Sequence, residues 1–192
     1  LFPARKEFQK LSPETIARFV KPFVMRRKKE EVLKELPDLI ETTYHNELDE
    51  AQKTIYLAQL KQIQDRVRTS SDEELNRSKV EILSGLMRLR QICDTPALFM
   101  EDYQGESGKL ESLRDLLAQI QDSNHRVLIF SQFRGMLDIL EKEIVKLGMT
   151  SFKITGSTPA KERQEMTNAF NSGERTAFLI SLKAGGVGLN LT

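Results

Sequence analysis

Residues 176–192 read TAFLISLKAGGVGLNLT, and the fold turns on how that stretch divides. Ala177, Phe178, Leu179 and Ile180 form an apolar run whose length and character suit a strand buried on both faces. The run gives way to Lys183-Ala184-Gly185-Gly186-Val187-Gly188. Glycines packed this closely permit positive φ and close backbone approach, so such a loop can offer bare N–H groups to an anion at the carboxyl end of a strand. Open α/β sheets bind ligands at that edge. A tight turn without a ligand is the plainer alternative.

Working outward from this strand, the preceding residues alternate between two periods. Leu110, Leu113, Leu117 and Ile120 mark an amphipathic helix, and Arg126 to Phe130 a strand. A helix through Met136, Leu137, Leu140 and Ile144 ends at Gly148, a suitable residue just past a helix terminus. Ser151 to Ile154 reads as a strand, Thr158-Pro159 begins a helix running to about Asn171, and Gly173 separates it from the strand at Thr176 to Ile180. Alternation at this spacing predicts right-handed crossovers and a parallel sheet with helices on both faces, incomplete at the C-terminus. Three loops then share one edge: Ser131 to Arg134, Thr155 to Thr158, and Lys183 to Gly188. Two of them lead into helices, whose first N–H groups and positive dipole end suit phosphate oxygens. Ser157 and Thr158, taken singly, read as helix caps; three such loops on one edge fit an anionic polymer.

The first half has a different grammar. Ser12, Pro13 and Glu14 supply a capping hydroxyl, a proline for the first helical position and a first-turn carboxylate. That helix is expected to turn Ile16, Phe19 and Val20 inward and to stop near Pro22. Lys21 to Lys29 is a basic cluster threaded with apolar residues, read as a solvated face or as a contact to phosphates or an acidic partner. A second helix through Val32 and Leu33 ends before Pro37, and Leu39 to Leu48 reads as extended, with Thr42, Thr43 and Tyr44 favouring a strand. Asp49 and Gln52 resemble a capping box opening a long helix striped by Tyr56, Leu60, Ile63 and Val67. Thr69 to Ser78 reads as loop. Lys79 to Asp94 reads as a helix with Ile82, Leu86, Leu89 and Cys93 on one face, and Glu101 to Ser107 as a polar linker. A boundary near residue 105 divides a mostly helical segment, 1–105, from the α/β part, 106–192.

Composition narrows the class. Of 192 residues, 39% are hydrophobic and 30% charged, which suits a folded domain and not a disordered chain. No apolar run is long enough to cross a bilayer and no signal peptide is evident, so an intracellular protein without membrane partners is expected, and its first residues read as the middle of something longer. A net charge of +1 decides nothing about nucleic acid. The single cysteine, Cys93, reads as a buried inert thiol, and His45 and His125 as surface or strand-edge residues; no metal site and no nucleophile with its base emerge. Gly105-Glu106-Ser107-Gly108-Lys109-Leu110 imitates a phosphate-binding loop but has Tyr103 where that pattern needs glycine, lacks Ser or Thr after the lysine, and follows no predicted strand.

With those elements in place, RVLIFSQFRGMLDILE, ITGSTPAKERQEMTNAF and FLISLKAGGVGLNLT, in this order and spacing, resemble the second motor lobe of the SWI/SNF family of helicase-like, ATP-driven DNA translocases. VKPFVMRRKKEEVLKELPDLIE and LMRLRQICDTP resemble the helical segment that this family inserts between its two RecA-like lobes. The resemblance implies a partial RecA-like lobe whose first loop, at Ser131 and Gln132, and second loop, at Gly156, Ser157 and Thr158, hold the phosphate backbone of double-stranded DNA, with Arg163 on the following helix. In the third loop it implies that Ser181 and Lys183 face DNA, and that Gly186, Gly188 and Asn190 face ATP, Asn190 towards the ribose. Leu182 and Lys183 stand where the family commonly has Thr and Arg, so one hydroxyl is lost and one charge persists without a planar fork. Asp94 and Thr95 replace a common Asn-His pair.

The resemblance further implies a DNA-dependent ATPase using ATP and Mg2+, with the metal ligands and phosphate-binding loop on a first lobe of the same polypeptide and no catalytic residue in this chain. The arginine finger is expected beyond Thr192, so these 192 residues alone are expected to be inactive. DNA-bound proteins are further implied partners. Two other readings stay open: a non-catalytic α/β protein-interaction module in which the glycine loop is only a turn, and a lobe of an RNA helicase, which fits the three loops but not the helical insertion.

Overall fold

The computed structural model describes residues 11–26, 32, 40–186 and 189–191, the side chains of 72–77 excepted. The chain forms two compact units, Leu1–Tyr44 and His45–Thr192.

In the first unit, helix α1 (Pro13–Val20) begins as its sequence predicts: the Ser12 side chain accepts from the Thr15 N–H, Pro13 occupies the first turn, and the helix ends before Pro22. Its apolar face differs from expectation. Phe19 is 62% exposed and Val20 is exposed too, leaving Ile16 half-buried, because α1 packs no helical face into a core among the described residues. Of the basic cluster, residues 21–26 are described and all are exposed, Phe23 and Met25 included; residues 27–29 lie outside the described residues, as does the helix expected through Val32 and Leu33 apart from Val32 itself, which is exposed.

The second unit opens with residues 45–48, which form no strand; the extended segment expected from Leu39 has no ladder among the described residues. Helix α2 (Glu50–Thr69) starts with the expected capping box: Asp49 accepts from backbone N–H groups of the first turn, and the Gln52 side chain accepts from the Asp49 N–H. Helix α3 (Asp72–Asp94) begins seven residues earlier than read, so most of the predicted loop from Thr69 to Ser78 is helix. Its buried face is also rotated. Ser78, Leu89 and Ile92 are buried and Ile82 and Gly85 half-buried, while Leu86 is 46% exposed. Gly85 explains the rotation: a Cβ there would come within 2.8 Å of Ile63, so the absence of a side chain is what lets α2 and α3 approach. A hydrophobicity stripe passes over glycine and settles on the leucine beside it.

A 3-10 turn at Pro96–Leu98 leads to helix α4 (Gly108–Asp122), strand β1 (Val127–Ser131), helix α5 (Arg134–Lys146), strand β2 (Ser151–Ile154), helix α6 (Ala160–Asn171), strand β3 (Ala177–Ser181) and a single helical turn, α7 (Leu182–Gly185). The sheet is parallel with order β1-β3-β2. The last strand in sequence is therefore central, and all five of its residues are buried, as its apolar run predicts. On one face Ala177 and Leu179 meet Leu110 and Leu117 of α4 and Leu137, Leu140 and Ile144 of α5. On the other, Phe178 and Ile180 meet Ile154 and Phe170, with Phe178 against Phe170 at a centroid distance of 5.2 Å. Helices thus cover both faces of a RecA-like sheet.

Helices α4, α5 and α6 end by one device. Gly148 and Gly173 adopt φ of +73° and +90° after α5 and α6, and Asn124 takes φ 52° after α4. In each case the next residue donates back into the helix, as Met149 does to the Ile144 carbonyl at 3.1 Å.

Candidate functional site at the carboxyl edge of the sheet

Strand register sets the site. Ser131 pairs with Ser181 and Ile154 with Ile180, so the three strands end within one residue of the same level. With neighbouring strands about 4.8 Å apart, the loops after β1 and β2 flank the residues after β3 at roughly 5 Å on either side. The three expected loops thus emerge from one rim.

The first loop is shaped by its own hydroxyl. Ser131 Oγ accepts from the Phe133 N–H at 3.2 Å, closing a turn just before α5. Gln132 stands exposed, and its Oε1 accepts from an Arg90 guanidinium N–H at 2.6 Å. Arg90, Ser131, Gln132, Lys109 and Leu182 line a cavity of about 490 Å³ that also reaches Cys93. Cys93 is half-buried where full burial was expected, because the neighbouring Ile92 takes the core position; burial still pushes its thiol up, with Lys109 opposing and Asp94 adding to the rise. Lys109 pairs with Asp94 at 2.5 Å at the start of α4, after no strand, which agrees with reading that segment as linker and helix start.

The second loop carries a small framework of its own. Thr158 Oγ1 accepts from the Thr155 N–H at 3.0 Å, and the Thr155 and Ser157 hydroxyls lie 2.9 Å apart. Neither Ser157 nor Thr158 caps α6, whose N-cap is Pro159 with no side-chain bond. Gly156 and Ser157 are exposed. Arg163 donates from Nε to the Thr158 carbonyl at 2.7 Å and from a terminal nitrogen to the Gly156 carbonyl at 3.2 Å, so it braces this loop from the helix behind it.

After β3 the chain enters α7 and not an open glycine loop. Gly185 and Gly186 show no positive φ; Gly185 is needed for space, since a Cβ there would lie 3.1 Å from the Phe130 ring. Lys183 is exposed. Ser181 is only 7% exposed and its hydroxyl lacks a hydrogen-bond partner, so it sits beneath the rim. Gly186 is exposed with open space around it, and Gly188 lies outside the described residues. Asn190 is exposed, its carbonyl accepting from the Asn171 side chain at 2.9 Å. Arg163 and Asn190, assigned from sequence to different ligands, line one polar groove of about 440 Å³ with Gln164, Asn168 and Asn171.

Sequence reading missed Arg90 and Asn171 as parts of these sites, and named Thr155 only as the start of the second loop. Arg90 and Asn171 lie 42 and 19 residues from their partners, a separation that no local pattern spans. Thr155 had a local signal, its place at a strand end just before Gly156, Ser157 and Thr158. Among the described residues, no three of His, Cys, Asp or Glu converge as metal ligands, both histidines are exposed, and no helix is long and apolar enough to cross a membrane.

A parallel α/β lobe with loops gathered on its carboxyl edge, joined to a helical segment, is the class these features define. The family described as the helicase conserved C-terminal domain matches residues 108–192, and the SNF2-related domain matches residues 2–98. The chain belongs to the SWI/SNF family and carries its helicase-like C-terminal lobe. It is 38% identical over 183 residues to the Chromodomain-helicase-DNA-binding protein 1-like of Danio rerio, covering 90% of this chain and 17% of that protein. Among solved structures it resembles the Sulfolobus solfataricus SWI2/SNF2 ATPase C-terminal domain, with a TM-score of 0.72 and 29% identity over 80% of this chain and 68% of that one. It also resembles the Sulfolobus solfataricus SWI2/SNF2 ATPase core in complex with dsDNA, with a TM-score of 0.68 and 27% identity over 92% of this chain and 39% of that one.

Proposed function

We propose that this chain is the second motor lobe of an ATP-dependent double-stranded DNA translocase, joined through its helical segment, 1–105, to a first RecA-like lobe elsewhere in the same polypeptide. The observation that carries the reading is the parallel register that brings three strand ends to one level. A phosphate chain needs several donors in a row and asks for no base-specific contact. Gln132, the Gly156 and Ser157 loop, Thr158 and Lys183 supply them in this reading, with Arg163 bracing the second loop and Ser181 supporting the third from beneath. The DNA-bound Sulfolobus relative supports duplex DNA as the ligand.

The residues also fit one wall of a nucleotide site. Gly186 leaves open space for a close approach, and Asn190 presents an exposed edge on a groove rich in amides. ATP with Mg2+ would supply the hydrolysis that drives closing and opening of the lobes. This chain's part is to orient the nucleotide through Gly186, Gly188 and Asn190 and to hold DNA while the lobes move. In this reading the metal ligands and arginine finger belong to other parts of the polypeptide, and proteins bound to DNA are its targets.

The test is duplex binding by the full-length protein over a salt series, wild type against Lys183→Ala. Each phosphate neutralised contributes a slope of about 0.9 in log K per log unit of salt, so the substitution is expected to lower the slope by about one such step. Affinity indifferent to salt in the wild type would overturn the proposal.

A further inference from the structure

We infer that Arg90 is a positioning residue for the DNA grip, turning Gln132 so that its amide nitrogen faces the phosphate chain; this rests on the function proposed above. Arginine has donors only, so the side-chain oxygen of Gln132 must be the atom facing it, and the 2.6 Å contact is to that oxygen. The Gln132 amide nitrogen is then left to donate. Phosphate oxygens only accept, so an amide turned the other way would present its repelling end. A guanidinium that lies in line with the loop thus selects the orientation a sugar-phosphate backbone can use.

Arg90 can do this because its helix is fixed immediately behind it. Ile92, two residues on, is fully buried, and its carbonyl accepts from the buried Gln52 side chain at 2.5 Å. The Asp94 carbonyl accepts from Ser107 Oγ at 2.5 Å, and its carboxylate pairs with Lys109. Five residues from α2, α3 and the start of α4 therefore set where the guanidinium sits. A shift in the last turn of α3 is transmitted to the first loop through one hydrogen bond, which links the helical hairpin of α2 and α3 to the grip.

The experiment is a double-mutant cycle in the full-length protein, with Arg90→Met, Gln132→Met and both, read by duplex affinity and by the DNA dependence of ATPase. Each single substitution is expected to weaken duplex binding by about fivefold, and the double no further, because either one breaks the same contact. Each should raise the DNA concentration for half-maximal ATPase more than it lowers the rate at saturating DNA. Arg90 is exposed, so an unchanged unfolding midpoint serves as the control for folding. Multiplying effects would mean that Arg90 touches DNA by itself and would overturn the inference. Loss with Gln132→Met but none with Arg90→Met would overturn it while leaving the proposed function standing. No loss with Gln132→Met, together with an unchanged salt slope for Lys183→Ala, would remove both.

Discussion

A Cβ built on Gly108 runs into the main-chain oxygen of Glu47, whereas one built on Gly156 meets nothing within 4 Å. The two glycines look alike in sequence, and both lie beside hydroxyl residues. Gly108→Ala is expected to destabilise the chain by about 2 kcal/mol, because a backbone oxygen cannot turn aside as a side chain can. Gly156→Ala should stay within about 0.5 kcal/mol of wild type. Urea unfolding of the 192-residue chain separates the cases, and equal losses would show that α4 does not sit against residue 47 as described.

Glu143 makes the second residue-scale prediction. It is 8% exposed on α5; burial pushes its carboxyl up, but hydrogen bonds from Lys146 and Arg114 outweigh that and hold it below the usual carboxylate range. A carboxylate depressed in the folded state stabilises above its unfolded pKa, about 4.3, and that contribution is lost as pH falls through the folded value. Glu143→Gln is therefore expected to cost about 2 kcal/mol at pH 7 and less at about pH 3, below the unfolded pKa. Denaturant unfolding at both pH values checks it, and a pH-independent loss would rule out the ion cluster as the cause.

At the scale of elements, the packing of α2 on α3 depends on one buried amide. Gln52 is fully buried, accepts from the Asp49 N–H and donates to the Ile92 carbonyl, so a single side chain caps one helix and satisfies the other. Gln52→Met keeps the length and removes both bonds, leaving a buried carbonyl without its donor at a cost of about 1 to 3 kcal/mol. Amide exchange is expected to rise in the last turns of α3 before it rises in β3. Uniform acceleration across the unit would contradict that order. The capping box at this position was legible in sequence because its partners are three residues apart; the bond to Ile92 was not, because it spans 40.

For the whole molecule, the lobe read here would complete an ATP site without containing the chemistry. The purified 192-residue chain is expected to release no phosphate from ATP above background, with or without duplex DNA. Contributions of about 10³ to 10⁵ in rate come from arginine fingers in phosphoryl transfer, and in this proposal that arginine is supplied from elsewhere. Steady turnover by this chain, surviving further purification, would require a catalytic group among its own residues.

Sequence by itself determined the elements whose cause is local. Alternating periods located all three strands, glycines at 148 and 173 ended their helices, and an unbroken apolar run identified the strand buried on both faces. Parallel connectivity then puts three loops on one rim. Tertiary structure alone decided what those loops do with their side chains: Arg163 braces the second loop, Ser181 lies beneath the rim, Arg90 meets Gln132, and Gly85 turns the buried face of α3. Hydrophobic period and turn chemistry act over a few neighbouring residues and leave a pattern in the chain, while a contact across forty residues exists only once the backbone has brought its partners together.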